Sequence, residues 1–346
     1  MVTPRQAVEQ AIAGVIPERQ PACIYGGGMW TLRQAGETFA GLAQDPERMS
    51  EVIVRVARDV RSDIVYTGSG YNNVHVAALG GRIKYRQVGA PDLEEPLVKT
   101  GADLAHLPLE KVETYTTVQT VRETTRRVAE EIGDEYVVTL TSWGPFSLGA
   151  QILGVEETMR GCFRQPELVQ QVIEFAAEFL RVFYGPLVEK RVIPMVALAD
   201  PTAAGSLISR RHYEKFALPP LKRLVDYFRS HGVATFLHIC GNTDDRLDLL
   251  LETGAEIVSI DAAVDLRVAK QAFSGKTCLG GNLHPVHVLQ MGTPEQVEVA
   301  AKECLDQAAG GGGFILMPGC DTPPLTPREN VDAFLRTAWE YHPTAI

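Results

Sequence analysis

Cysteine is scarce in this chain: six residues in 346, too few and too scattered for a disulfide framework. Reduced thiols and a cytoplasmic setting are therefore expected, and Cys23, Cys162, Cys278 and Cys304 read as ordinary buried thiols. Positive charge is also short. Lys and Arg number 33 against 43 Asp and Glu, a formal net charge of −10 with no basic tract, which argues against nucleic acid or an anionic membrane surface as partner. No uninterrupted apolar stretch is long enough to cross a bilayer, and the opening Met1-Val-Thr-Pro-Arg-Gln-Ala-Val-Glu-Gln10 lacks an apolar signal core. Membrane insertion is not expected. No Gly-x-Gly-x-x-Gly follows a strand-like run with an acidic residue about 20 positions on, and there is no Walker loop, so nucleotide binding has no support. Gly26-Gly-Gly28 and Gly310-Gly-Gly-Gly313 read as turns. Neither a repeat nor a low-complexity linker divides the chain.

What is present is a hydrophobic content of 45%, enough for a large core, arranged as eight short runs rich in β-branched residues. They fall near 22–25, 63–67, 136–141, 195–198, 234–240, 256–260, 277–280 and 314–317. Helical patterns such as 166–182 and 294–308 lie between them. Strand then helix, eight times over, predicts parallel strands and an α/β fold of the (β/α)8 TIM-barrel type. An open doubly wound sheet is the alternative. The expected organisation is one barrel domain over 1–346, with an N-terminal extension and a surface insertion near 91–112, where Pro and charge interrupt the pattern.

Two residues apart on a strand, His238 and Cys240 in Thr235-Phe-Leu-His-Ile-Cys-Gly241 project to one face. Cys320 ends another strand-like run, Phe314-Ile-Leu-Met-Pro-Gly-Cys320. One imidazole and two thiolates suit zinc better than calcium, magnesium or manganese, and three protein ligands leave a position open for substrate. The competing account is that all three merely pack.

A barrel assembles its site at the C-terminal strand ends, so the residues that close the runs are the candidates. They include Tyr66-Thr-Gly-Ser-Gly-Tyr-Asn-Asn73, Thr141-Ser-Trp-Gly-Pro145, Leu198-Ala-Asp-Pro201, Ser259-Ile-Asp261, Gly281-Asn-Leu-His284 and Gly319-Cys-Asp321. Asp261 is a candidate fourth ligand or a partner that orients His238, and a loop cap otherwise. Asp200 either contacts substrate or accepts N–H groups of the following turn. Tyr66, Tyr71, Asn73, Trp143, Asn282 and Met317 are candidates for contacting a small molecule, aromatics there also being common core residues. His284 follows Asn282, whereas His75, His106, His212, His231, His287 and His342 carry no motif.

Leu237-His-Ile-Cys-Gly241, Pro318-Gly-Cys320 and Thr326-Pro-x-Glu-Asn330 together resemble the uroporphyrinogen decarboxylase superfamily. Within it they look most like the zinc methyltransferase branch that includes the methylcobamide:coenzyme M methyltransferases. Arg33-Gln-Ala-Gly36, Gly144-Pro-Phe-Ser-Leu148, Ala199-Asp-Pro201, Asp261 and Gly281-Asn-Leu283 fall in the superfamily's order. The resemblance implies a (β/α)8 barrel, a zinc ion held by His238, Cys240 and Cys320, and a methyl group exchanged with the cobalt of a corrinoid. This chain lacks the Asp-x-His-x-x-Gly signature of corrinoid carriers, so the corrinoid is expected on a separate protein docked over the barrel mouth.

Departures from the decarboxylase pattern favour that branch. Tyr66-Thr-Gly-Ser-Gly70 stands where Phe-Ser-Asp would be, Glu37 replaces the Arg after the Arg-Gln-Ala-Gly motif, and Cys320 takes the decarboxylases' His position. A polycarboxylate tetrapyrrole needs converging cations, which this pattern reduces. The small molecule is expected to be a thiol acceptor or a methoxylated aromatic donor, as in an O-demethylase. A metal-free uroporphyrinogen decarboxylase and a catalytically idle binding barrel are the alternatives.

Overall fold

A computed structural model of the chain describes residues 2–86 and 89–342. Seven strands form one curled sheet in chain order: β1 (Ile64–Tyr66), β2 (Val137–Trp143), β3 (Met195–Ala199), β4 (Ala234–Ile239), β5 (Ile257–Ile260), β6 (Cys278–Leu283) and β7 (Phe314–Pro318). All neighbours pair in parallel, with helices between them. Continuous apolar runs make sense here, because each strand is covered on both faces: every residue of β3 and of β7 is buried.

The first expected run, near 22–25, makes only a single parallel bridge, Ala22 to Leu316. Cys23 N–H donates to the Leu316 carbonyl at 3.0 Å on one side, and Asp63 N–H to the Ala22 carbonyl at 3.0 Å on the other, so this segment still closes the ring between β7 and β1. Side chains replace the missing ladder. Ala22 N–H donates to Asp63 Oδ2 at 2.7 Å and Ile24 N–H to Ser62 Oγ at 3.1 Å, leaving no strand carbonyl for either. Arg19 grips the same Asp63 through both carboxylate oxygens, at 3.0 and 2.6 Å.

The N-terminal helix Pro4–Ile12 starts from a capping box in which Thr3 and Gln6 exchange hydrogen bonds. Its Val8 and Ala11 enter the barrel's interior cluster beside Ile64, Val137, Met195 and Ile257, at the N-terminal ends of the strands. Arg5 fastens the helix there, its N–H to Glu135 O and its Nη1 to Gly133 O, each at 2.8 Å. The barrel floor is therefore a helix.

The helix expected over 166–182 continues to Val188 despite Pro186. A proline has no N–H for the carbonyl four residues back, and Arg122 supplies one instead, Nη2 to Val182 O at 2.7 Å and Nε to Phe183 O at 2.9 Å. Residues 91–112 hold one half of a two-residue antiparallel ribbon, Ile83–Lys84 with Asp92–Leu93, then the short helix Gly101–Ala105 and a turn at Leu109–Lys111. Leu97 and Val98 N–H both donate to Ile152 O, at 2.8 and 3.1 Å, tying the segment to helix Pro145–Leu153. Among the described residues no helix is long and apolar enough to cross a membrane.

Candidate metal centre

Strand register sets the level of the site. Trp143, Ala199, His238, Ser259, Gly280 and Ile315 are successive register partners across β2 to β7, forming one row around the upper barrel. Immediately below, Phe236 and Ile257 belong to the apolar interior cluster. Two residues further along β4, the same face carries His238, fully buried. Its Nδ1 lies 3.1 Å from Ser259 Oγ, its neighbour in the row, and the Tyr25 ring packs against the imidazole at 4.7 Å between centroids. Held on both sides, the ring presents Nε2 to Cys240 Sγ at 3.2 Å.

Cys240 Sγ is 3.3 Å from Cys320 Sγ, and the three donor atoms all lie within 4.8 Å of one another. Ligands spread tetrahedrally around zinc at ordinary bond lengths sit about 3.8 Å apart for two sulfurs, so a small outward adjustment seats an ion. The donor set fits. Two sulfurs this close share one proton. One thiol donates to the other, which favours the first ionisation of the pair, and the resulting charge, with burial, pushes the second upward. A divalent ion would replace that proton and keep both as thiolates.

Cys320 is placed by its neighbours. Gly319 N–H donates to Leu283 O at 2.8 Å, and Asp321 Oδ1 accepts the Gly27 N–H at 2.7 Å. Gly26 and Gly27 both have φ of +61°, and a Cβ on Gly26 would fall 1.9 Å from Asp321 Oδ1, so the glycine turn is required for this close approach. The expected turn at Gly26-Gly-Gly28 thus abuts the third candidate ligand, Cys320.

Asp261 sits beside the centre rather than in it. Its oxygens accept the N–H groups of Gly241 (2.8 Å) and Ala263 (2.9 Å), and His238 Nδ1 faces Ser259 instead. Asp261 therefore braces the turn after Cys240. Asp200 is fully buried and accepts the Ser147 N–H at 2.6 Å, while its Oδ2 has no hydrogen-bond partner. Burial pushes its pKa up to about 6 against that hydrogen bonding.

Trp143 and Asn73 are brought together: the indole N–H donates to Asn73 Oδ1 at 2.6 Å, and Asn73 Nδ2 donates to Pro91 O at 3.0 Å. Asn282 Nδ2 ties down the loop after β5, donating to Asp261 O (3.2 Å) and Val264 O (2.8 Å). The other three substrate-contact candidates are seated in the core. Tyr66 packs edge-on to Tyr25 and Phe236 inside the barrel, Tyr71 edge-on to Phe39 with its hydroxyl donating to Ala43 O, and Met317 is fully buried over Gly280. A position at a strand end does not reveal how far neighbouring side chains cover it. His284 caps the turn that follows it, its Nδ1 accepting from Val286 and His287 N–H. Sequence reasoning passed over Ser259, Tyr25 and Asp321, although Ser259 and Asp321 both stood in the strand-end segments.

The remaining family segments serve the frame. Asn330 is buried, with Nδ2 donating to Leu289 O and Gly292 O at 2.8 Å each, and Thr326 O accepts from Trp30 Nε1 at 2.8 Å. Glu37, where the decarboxylase pattern has Arg, is ion-paired with Arg48 at 2.5 Å.

The family model described as "Uroporphyrinogen decarboxylase (URO-D)" matches residues 3–341, and the chain belongs to that family. It is 30% identical to a methylcobamide:CoM methyltransferase of Methanosarcina mazei, covering 98% of both chains. It is 28% identical to a uroporphyrinogen decarboxylase of Trichodesmium erythraeum, over 71% of this chain and 69% of that one. In fold it matches a solved methyltransferase structure from Methanosarcina mazei with a TM-score of 0.87 at 22% identity, covering 97% of this chain and 98% of the other.

Proposed function

We propose that this protein is a zinc-dependent methyltransferase that moves a methyl group between the cobalt of a separate corrinoid protein and a small molecule held at zinc in the barrel mouth. The observation that carries this reading is the convergence of His238 Nε2 with the Cys240 and Cys320 sulfurs. The similarity over nearly the full length to a protein named as a methylcobamide:CoM methyltransferase supports the same reaction class. Zinc, when bound, would supply Lewis acidity, lowering the pKa of a substrate thiol so that it reacts as thiolate at neutral pH.

The chain's own residues do the positioning. Ser259 and Tyr25 fix the imidazole, Asp261 braces the turn behind Cys240, and the Gly26–Gly27 turn with Asp321 locates Cys320. The apolar rings below exclude water from the underside of the centre. A thiol acceptor is the first substrate reading. A methoxylated aromatic donor is the second, favoured by Trp143, whose backbone lies in the His238 row and whose indole is pinned by Asn73. Six free cysteines, two of them reactive by position, suit a reducing cytoplasm.

Metal-free tetrapyrrole decarboxylation fits less well. Its substrate's carboxylates need converging cations, and the Glu37–Arg48 pair stands where one would be supplied. Metal analysis tests the proposal directly: the purified protein should carry about one zinc per chain, and Cys320→Ala should lose both the metal and corrinoid-dependent methyl transfer. Unchanged zinc content in that variant, or coproporphyrinogen formed from uroporphyrinogen at a useful rate, would overturn it.

A further inference from the structure

Arg246 is the one arginine among the largest fully buried side chains, and it lies six residues beyond Cys240. Nothing in its sequence setting, Asn242-Thr-Asp-Asp-Arg246, suggests burial. Its Nε and Nη2 reach Asp245 at 2.7 and 3.0 Å, Nη1 donates to Ala203 O at 2.8 Å, and Nη2 to Ile208 O at 2.9 Å. The guanidinium also stands 5.4 Å from the centroid of the Tyr213 ring. Ala203 and Ile208 bracket the loop after β3, and that loop lies against the turn after Cys240. Gly205 N–H donates to Asn242 O at 3.1 Å, and a Cβ on Gly241 would meet Ala204 Cβ at 3.6 Å and Ser206 Oγ at 3.8 Å. On its opposite side the same turn is held by Asp261 and Ala263, through Gly241 N–H and Asn242 Nδ2.

We propose that Arg246 is a positioning residue for the metal centre, clamping the 203–208 loop onto the turn after Cys240 and so fixing that sulfur and shielding one side of it. A planar fork with several donors can satisfy two carbonyls and a carboxylate together, which the single ammonium of lysine cannot. Without it, two buried carbonyls lose their partners and the loop separates from the turn. The zinc part of this inference rests on the function proposed above; the thiol part does not.

The test uses the full-length protein, metal-free and zinc-loaded, with Arg246→Lys and, should that variant fold poorly, Gly205→Ala. The second variant keeps the guanidinium in the chain but would bring a Cβ within 2.8 Å of Asn242 O and 3.3 Å of Arg246 Nη2, wedging the clamped loop off the turn. Iodoacetamide labelling of the metal-free protein, read peptide by peptide, should show Cys240 reacting about tenfold faster, the scale of one lost charge-assisted hydrogen bond. The buried Cys23, Cys162 and Cys278 should be unchanged. Zinc release from the loaded protein to a chelator should accelerate by a similar factor. An unchanged Cys240 rate in both variants, or one that rises only in step with Cys162 and Cys278, would overturn the clamp and leave Arg246 a general structural residue. Should the wild-type protein take up no zinc, the methyltransferase reading fails while the labelling result still decides the clamp.

Discussion

The lower and upper halves of the barrel are built on the same inward face, yet along β4, β5 and β6 they differ within a single step of about 6.6 Å. Phe236 gives way to His238, Ile257 to Ser259, and Cys278 to Gly280. On these three strands apolar side chains lie below the step, over a helical plug, and polar side chains or none lie above it, beside the three donor atoms, while Ile315 and Met317 of β7 carry the apolar lining upward. Stability and chemistry are thereby assigned to different floors. A change on one should spare the other.

The largest effect expected is on the upper floor. Cys320→Ala should lower methyl transfer by roughly a hundredfold or more with the loss of zinc, while thermal unfolding of the metal-free forms stays alike. A matching drop in the metal-free melting temperature would mean that the two floors are not separate. The converse break is Val8→Asp, which puts an unpaired charge into the floor's apolar cluster and should cost about 3 kcal/mol or more of stability in a denaturant titration. Its zinc content per folded chain should not move.

Asp200 lies one residue past the His238 row. Burial holds its carboxyl near 6 against an ordinary 3.8, so the unfolded chain releases that proton first. Its contribution to stability is therefore intact below about pH 4 and declines as pH climbs through 6, by about 3 kcal/mol at most. Asp200→Asn stays neutral throughout. Melting curves should show the variant gaining on the wild type between pH 4 and 6.5, and parallel curves would contradict the buried-carboxylate account. The smallest effect sharpens the comparison from within the site. Ser259→Ala frees His238 Nδ1 and should weaken zinc binding ten- to a hundredfold in competition with a chelator, with the fold unaltered.

Much of this division could be read from the chain itself. Alternation along 234–240 announces that His238 and Cys240 share a face, and side-chain chemistry alone nominates a thiophilic ion. Register is different. That Ser259, not Asp261, stands beside the imidazole depends on how β5 is shifted against β4, which no local pattern encodes. Tyr66, Tyr71 and Met317 show a related limit: proximity to a strand end was visible, the burial of the side chain under its neighbours was not. The 22–25 run looked like any other strand because its apolar residues are those of a strand, whereas two of its N–H groups, those of Ala22 and Ile24, go to Asp63 and Ser62 side chains some forty residues away. Arg246 was the least legible of all, since an arginine next to two aspartates ordinarily marks a wet surface.

One consequence follows from the seam at Asp63. A single carboxylate staples residue 22 to the first strand, and only five residues later the same stretch of backbone grips Asp321 through Gly27. Ring closure and the seat of the farthest sulfur thus share one short span of chain, like a hoop whose clasp is also the mount for its stone. Slack introduced at the clasp cannot stay there; it arrives at Cys320.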